Sequence, residues 1–97
     1  MEKKPTKIVF RIHALQRMFE RRISEEDARA VIESGEVIED YPDDKPYPSQ
    51  LLLGRRDARP IHIVVARNVE DGETVVITVY EPDPKQWEAD FKRRKKQ

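Results

Sequence analysis

Two runs of alternating residues, Ile61 to Asn68 (IHIVVARN) and Thr74 to Glu81 (TVVITVYE), stand on either side of Glu70-Asp71-Gly72. An apolar residue at every second position is the period of a strand, and a short glycine-containing loop between two such runs makes a hairpin. A three-residue loop with Gly72 in the left-handed region places His62 across from Tyr80. In that register Ile61, Ile63 and Val65 share a face with Val75, Ile77 and Val79. His62, Val64 and Ala66 share the other with Val76, Thr78 and Tyr80. A slip of one residue would mix the two sets, so this register is the expected one. A wholly aliphatic sheet face has to be covered by another layer.

The covering layer is legible upstream. HALQRMFERR, residues 13–22, carries Ala14, Leu15, Met18 and Phe19 at helical spacing, with His13, Arg17 and Arg21 on the other side. Ser24 reads as the N-cap of a second helix, with Asp27 placed to return the bond. That helix buries Ala28, Val31 and Ile32 and stops near Ser34 at Gly35. Leu15, Met18, Phe19, Val31 and Ile32 are expected to be buried. Two more strands follow, Glu36 to Tyr41 and Gln50 to Arg55, joined by the proline-rich loop PDDKPYPS. RRDARP turns into the hairpin. Asp83 then caps a short final helix with Pro84 at its first position and with Trp87 and Phe91 one turn apart. The expected class is α+β, with two N-terminal helices on a four-stranded, mostly antiparallel sheet and a short C-terminal helix.

Length and charge narrow the functional classes. At 97 residues the chain is read as a single domain, with a core over about residues 8–91 and a basic tail over 92–97. Hydrophobic residues are 37% and charged residues 39%, so the core is small and a monomer or weak homodimer is expected. Lys and Arg number 19, as do Asp and Glu, which excludes a uniformly basic nucleic-acid coat. The balance is uneven along the chain: residues 1–24 hold seven bases against two acids, and 25–44 hold nine acids against one base. Folding can gather the basic blocks on one face, where they attract phosphate; the plain alternative is a solvated surface of ion pairs. The five bases of the tail, which repel one another, are expected to fray. There is no cysteine, so neither a disulfide framework nor a thiolate metal site is available. Apolar runs are too short for a membrane span or a signal-peptide core, so a soluble cytoplasmic protein without membrane attachment is expected.

The side chains able to carry chemistry are few. His62, Thr78 and Tyr80 fall on one sheet face, and His13, Arg17 and Arg21 on one helix face. Singly, each has a structural explanation: a hydrogen-bonded strand histidine, a packed tyrosine, a solvated helix face. Together, two imidazoles, several guanidiniums and two hydroxyls suit metal-free RNA cleavage. That reaction needs proton transfer at the 2′-hydroxyl and the leaving oxygen, and cations for the phosphate. His13 and His62 are too few for a metal centre, and no phosphate loop, dinucleotide fingerprint or serine elbow is present. No metal or cofactor is therefore expected.

HALQRMFERRIS, GEVIEDYPDDKPYPSQLLLG, RPIHIVVA and VVITVYEPDPKQW together resemble the bacterial and archaeal family designated domain of unknown function 4258. The resemblance runs from about Ile12 to Phe91. It implies kinship with RelE-like and barnase-like metal-independent ribonucleases, many of them toxins paired with a small zinc-binding, DNA-binding antitoxin. Function would then fall on His13, Arg17, Arg21, His62, Thr78 and Tyr80, with Arg59 of the RPIH motif a further phosphate contact. Two readings compete with the nuclease: a non-catalytic module that grips RNA or an acidic protein, and a structural partner that docks through the acidic segment 25–44.

Overall fold

The computed structural model describes residues 7–96. Residues 1–6 and Gln97, the start of the basic N-terminal block and the end of the basic tail, lie outside the described residues. In chain order the elements are β1 (Lys7–Phe10), α1 (Ile12–Arg21), α2 (Glu25–Ser34), β2 (Glu36–Tyr41), β3 (Ser49–Arg56), β4 (Arg59–Asn68) and β5 (Glu73–Tyr80). One sheet runs β1-β5-β4-β3-β2, with β1 parallel to β5 and every other neighbour antiparallel.

This corrects the expected architecture. The sheet is five-stranded and mixed, not four-stranded and mostly antiparallel. The added strand, KIVF, is too short for alternation to be read. Its place is set by distant backbone: Lys7 N–H donates to Gly72 O at 2.9 Å and Arg11 N–H to Val76 O at 3.2 Å.

The hairpin keeps its expected register for three pairs, His62 with Tyr80, Ile63 with Val79 and Val64 with Thr78. A bulge then shifts Val65 opposite Val76. The helix-facing set is therefore Ile61, Ile63, Val65, Val76 and Val79, all fully buried, and not Val75 and Ile77. Between Val76 and Val79 two consecutive residues, Ile77 and Thr78, are left out of that core and are only half buried. A bulge inserts one unpaired residue and re-aims the side chains around it.

α2 forms as its sequence requires. The Ser24 hydroxyl accepts from Asp27 N–H at 2.9 Å, and three acids occupy the first turn, where the helix dipole favours them. Arg56 Nε donates to Asp27 Oδ1 at 3.0 Å and ties the helix start to the end of β3. Gly54 lets the two approach, since a Cβ there would sit 2.7 Å from Val31 Cγ2.

In α1 only Ala14 and Met18, one turn apart, reach the core; Ile23, just past the helix, completes that contact. Leu15 and Phe19, expected inside, are exposed, Phe19 at 86%. The helix packs on β5 through one narrow stripe, so its second apolar flank (Ile12, Leu15, Phe19) faces solvent.

No C-terminal helix forms. Asp83 caps one turn, with its carboxylate accepting from Lys85 N–H at 2.9 Å, after which the chain doubles back. Trp87 pairs with Arg94 in an antiparallel bridge, and Lys95 N–H donates to Gln86 O at 2.8 Å. This path buries Trp87 to 2% exposure against His62, on the sheet face opposite the helices. The described part of the basic tail is therefore held, not frayed: Lys92 meets Glu36 at 3.0 Å and Arg94 stacks 4.6 Å over Trp87. Acids of β2 neutralise the repulsion that the tail alone would suffer. Among the described residues no helix is long and apolar enough to cross a membrane.

Candidate functional site

β1 ends where Phe10 stands beside Val76, so the outer edge of β5 beyond that point has no strand neighbour among the described residues. The chain instead turns into α1, which packs on β5. The C-terminal segment approaches from the other face. Between them lies a cleft of about 470 Å³, lined by Arg17 and Arg21 of α1, by Thr78 to Glu81, and by Asp83, Gln86, Trp87 and Arg94. Four of the residues singled out from the sequence (Arg17, Arg21, Thr78 and Tyr80) are thus brought together from elements far apart in the chain.

His62 supports Tyr80 from beneath. It is fully buried, its ring 4.4 Å from Trp87 and 5.2 Å from Tyr80, both edge-on. Nε2 lies 2.8 Å from Phe91 O and Nδ1 lies 3.2 Å from the Tyr80 hydroxyl. A carbonyl only accepts, so Nε2 carries the hydrogen and donates it. Burial pushes the His62 pKa down, which keeps the ring neutral and leaves a lone pair on Nδ1. The Tyr80 hydroxyl therefore donates to Nδ1 and turns its own lone pairs elsewhere. Burial also raises the Tyr80 pKa, so the phenol holds its proton.

Arg59 has another task. Its Nε pairs with Glu81 at 3.0 Å, while its terminal nitrogens donate to Arg22 O at 3.1 Å and Arg21 O at 2.9 Å. Those carbonyls are the unsatisfied end of α1. Arg59 fastens that end to the end of β5 and so sets where Arg21 stands. With its nitrogens engaged there, Arg59 does not line the cleft. His13 is exposed in the first turn of α1 and does not line the cleft. It lies on the Arg17 stripe, about 6 Å further along the axis.

The sequence reading missed Arg94, Trp87, Gln86 and Asp83. Their signal was present: the only tryptophan, followed closely by a basic cluster, suggests an anchored segment carrying cations. Assigning that cluster to a frayed tail hid it. With Arg94 included, three guanidiniums face the cleft together with the carboxylates of Glu81 and Asp83, of which Glu81 is held by Arg59.

No curated protein and no solved structure matches the chain. Residues 10–81, from the end of β1 to just past β5, match the family described as Domain of unknown function (DUF4258). That span takes in both helices, the hairpin with its bulge, and the His62–Tyr80 pair. The chain belongs to the DUF4258 family.

Proposed function

We propose that this protein is a metal-independent endoribonuclease that acts at the cleft between α1, β5 and the C-terminal segment. The observation that carries this reading is the Tyr80–His62 pair beside three arginines. Arginine grips phosphate through paired N–H donors, and Arg17, Arg21 and Arg94 supply them from two elements. Tyr80 O accepts the proton of the attacking 2′-hydroxyl as its own proton passes to His62 Nδ1; the donor bond from Nε2 to Phe91 O then steadies the imidazolium. The 2′-oxygen forms its bond to phosphorus while the bond to the 5′-oxygen breaks, leaving a 2′,3′-cyclic phosphate. Thr78 donates a hydrogen bond to the phosphate. The leaving 5′-oxygen takes its proton from water in the open cleft, because His13, the other imidazole, does not line it. On the kinship implied by its motifs, the protein is a cytoplasmic toxin restrained by a small zinc-binding antitoxin.

General acid–base groups contribute about 10²–10⁴-fold each, so Tyr80→Phe should lose that much cleavage while retaining RNA affinity. Products should carry 2′,3′-cyclic ends, and excess chelator should leave the rate unchanged. Inducible expression in a bacterium should arrest growth and create new RNA ends. One observation favours a second reading, a non-catalytic RNA-binding module: both ring nitrogens of His62 are satisfied inside the fold. Under that reading Tyr80→Phe changes nothing, whereas removing Arg17 and Arg21 abolishes binding.

A further inference from the structure

A second cavity of about 270 Å³ opens beside the loop between β2 and β3, lined by Arg11, Asp44, Lys45, Tyr47, Val75 and Ile77 among others. Besides Ser49 of β3 and Ala66 of β4, it is lined by Val75 and Ile77 of β5, the strand that supplies Thr78 and Tyr80 to the cleft. The bulge makes the two cavities neighbours. Because Val76 and Val79 both enter the helix-facing core, Ile77 and Thr78 are consecutive residues left to the opposite side. Ile77 lines one cavity and Thr78 the other. Unbroken alternation would have turned one of them away.

We infer that the second cavity is a further subsite for single-stranded RNA, so that one strand lies along β5 with a phosphate in the cleft and a flanking nucleotide beside Tyr47. This rests on the proposed function for the identity of the polyanion. The span from Val75 to Tyr80 is roughly 17 Å at strand rise, enough for a few nucleotides. Cations stand at both ends, Arg11 and Lys45 at one and Arg17, Arg21 and Arg94 at the other. Among the described residues neither Arg11 nor Lys45 is in an ion pair. Asp44, the one acid of the second cavity, accepts from the Ser49 hydroxyl. Tyr47 supplies the aromatic surface, and its hydroxyl accepts from Asn68 Nδ2 at 3.1 Å, which holds the ring in place. Cations that track a backbone beside an aromatic platform are how sequence-tolerant single-strand sites are built. An acidic peptide would use the charges but would leave the ring unexplained.

The test uses fluorescence anisotropy at fixed salt with uncleavable 2′-O-methyl oligoribonucleotides of two and six nucleotides. Base stacking with its phosphate contact should make the hexamer bind the wild type about tenfold or more tighter than the dimer. Arg11→Ala with Lys45→Ala, both surface changes, should remove that advantage and leave dimer affinity unchanged. Equal loss for both lengths, or no loss, would overturn the second subsite. Competition by hexaglutamate as strong as that by the hexamer would also overturn it, in favour of an acidic protein partner. Unmodified hexamer separates this inference from the nuclease reading: length-dependent binding without cleavage defeats only the nuclease, and cleavage without length dependence defeats only the subsite.

Discussion

The two faces of the sheet are built differently. Where the helices lie, the covered face is aliphatic, with Ile61, Ile63, Val65, Val76 and Val79 sealed under Ala14, Met18, Ala28 and Val31. Further along the strands the same side carries Arg67, which donates to Gln50 Oε1 and Thr74 Oγ1. The opposite face holds buried Leu51 and Leu53 but also Ser49, His62 and half-buried Tyr80. It is covered by irregular chain, including Phe91, which adopts a positive φ of 59°. Aliphatic packing needs only matching volume, so regular helices suffice to cover it. Polar side chains need partners at defined positions, and an irregular segment can offer a free backbone carbonyl, here Phe91 O to His62, where a helix interior has its carbonyls already bonded. The face that gives up regularity is the face with the cleft.

Truncation should expose the contrast most strongly. Ile63→Ala, under the helices, should destabilise by about 2–5 kcal/mol. Ile77→Ala, on the bulge and half-buried, should cost roughly 1 kcal/mol. Urea titration of both variants checks this, and equal losses would mean that the bulge residue belongs to the same core.

On the polar face, His62→Leu should cost about 1–3 kcal/mol, because the Phe91 carbonyl and the Tyr80 hydroxyl lose their buried partner. The wild type should carry a matching pH signature. The folded pKa of His62 is depressed by burial, so its contribution is present above the unfolded value of about 6.5 and is lost as pH falls through the folded value. Cleavage should fall over the same range, since Nδ1 must be free to accept. At the alkaline end Tyr41 behaves oppositely. Burial, then its bond to Glu39, pushes its pKa up to about 12, so its stabilisation, complete below about pH 10, is lost as pH rises through that value. Thermal melts from pH 4 to 12 test both limbs. In His62→Leu the acid limb should flatten and the alkaline limb should remain.

The smallest effect lies between the faces, at the turn joining β3 and β4. Asp57 and Ala58 both have positive φ, 52° and 70°. Ala58→Gly should stabilise by about 0.5–1 kcal/mol, because a left-handed alanine is strained and glycine is not. Any destabilisation would show that the alanine methyl makes a contact worth more than the strain.

Legibility followed the range of the interactions. Both helices, the Ser24 cap and the pairing of His62 with Tyr80 follow from residues a few positions apart or from one hairpin. The Asp57-Ala58 turn lacked the glycine or asparagine that marks such turns, so the expected loop there was longer than the real one. Leu15 and Phe19 have the spacing of core residues, and nothing local says that α1 meets β5 through Ala14 and Met18 alone. Of the residues that line the cleft, Arg17, Arg21, Thr78 and Tyr80 had been singled out from side-chain type and face. That Arg59 bonds the end of α1 was not legible, because that contact depends on where the end lies.

By itself the sequence determined the α+β class, the helix-strand order from α1 to β5 and the chemistry on offer, because periodicity, capping and residue type act over short spans. Only the tertiary structure decided that Lys7–Phe10 joins β5 in parallel, that a bulge turns Ile77 and Thr78 to one side, and that the basic tail folds back to place Arg94 beside Tyr80. Each of those outcomes is set by hydrogen bonds and burial between segments distant along the chain, and a single segment carries no local trace of the partner it will meet.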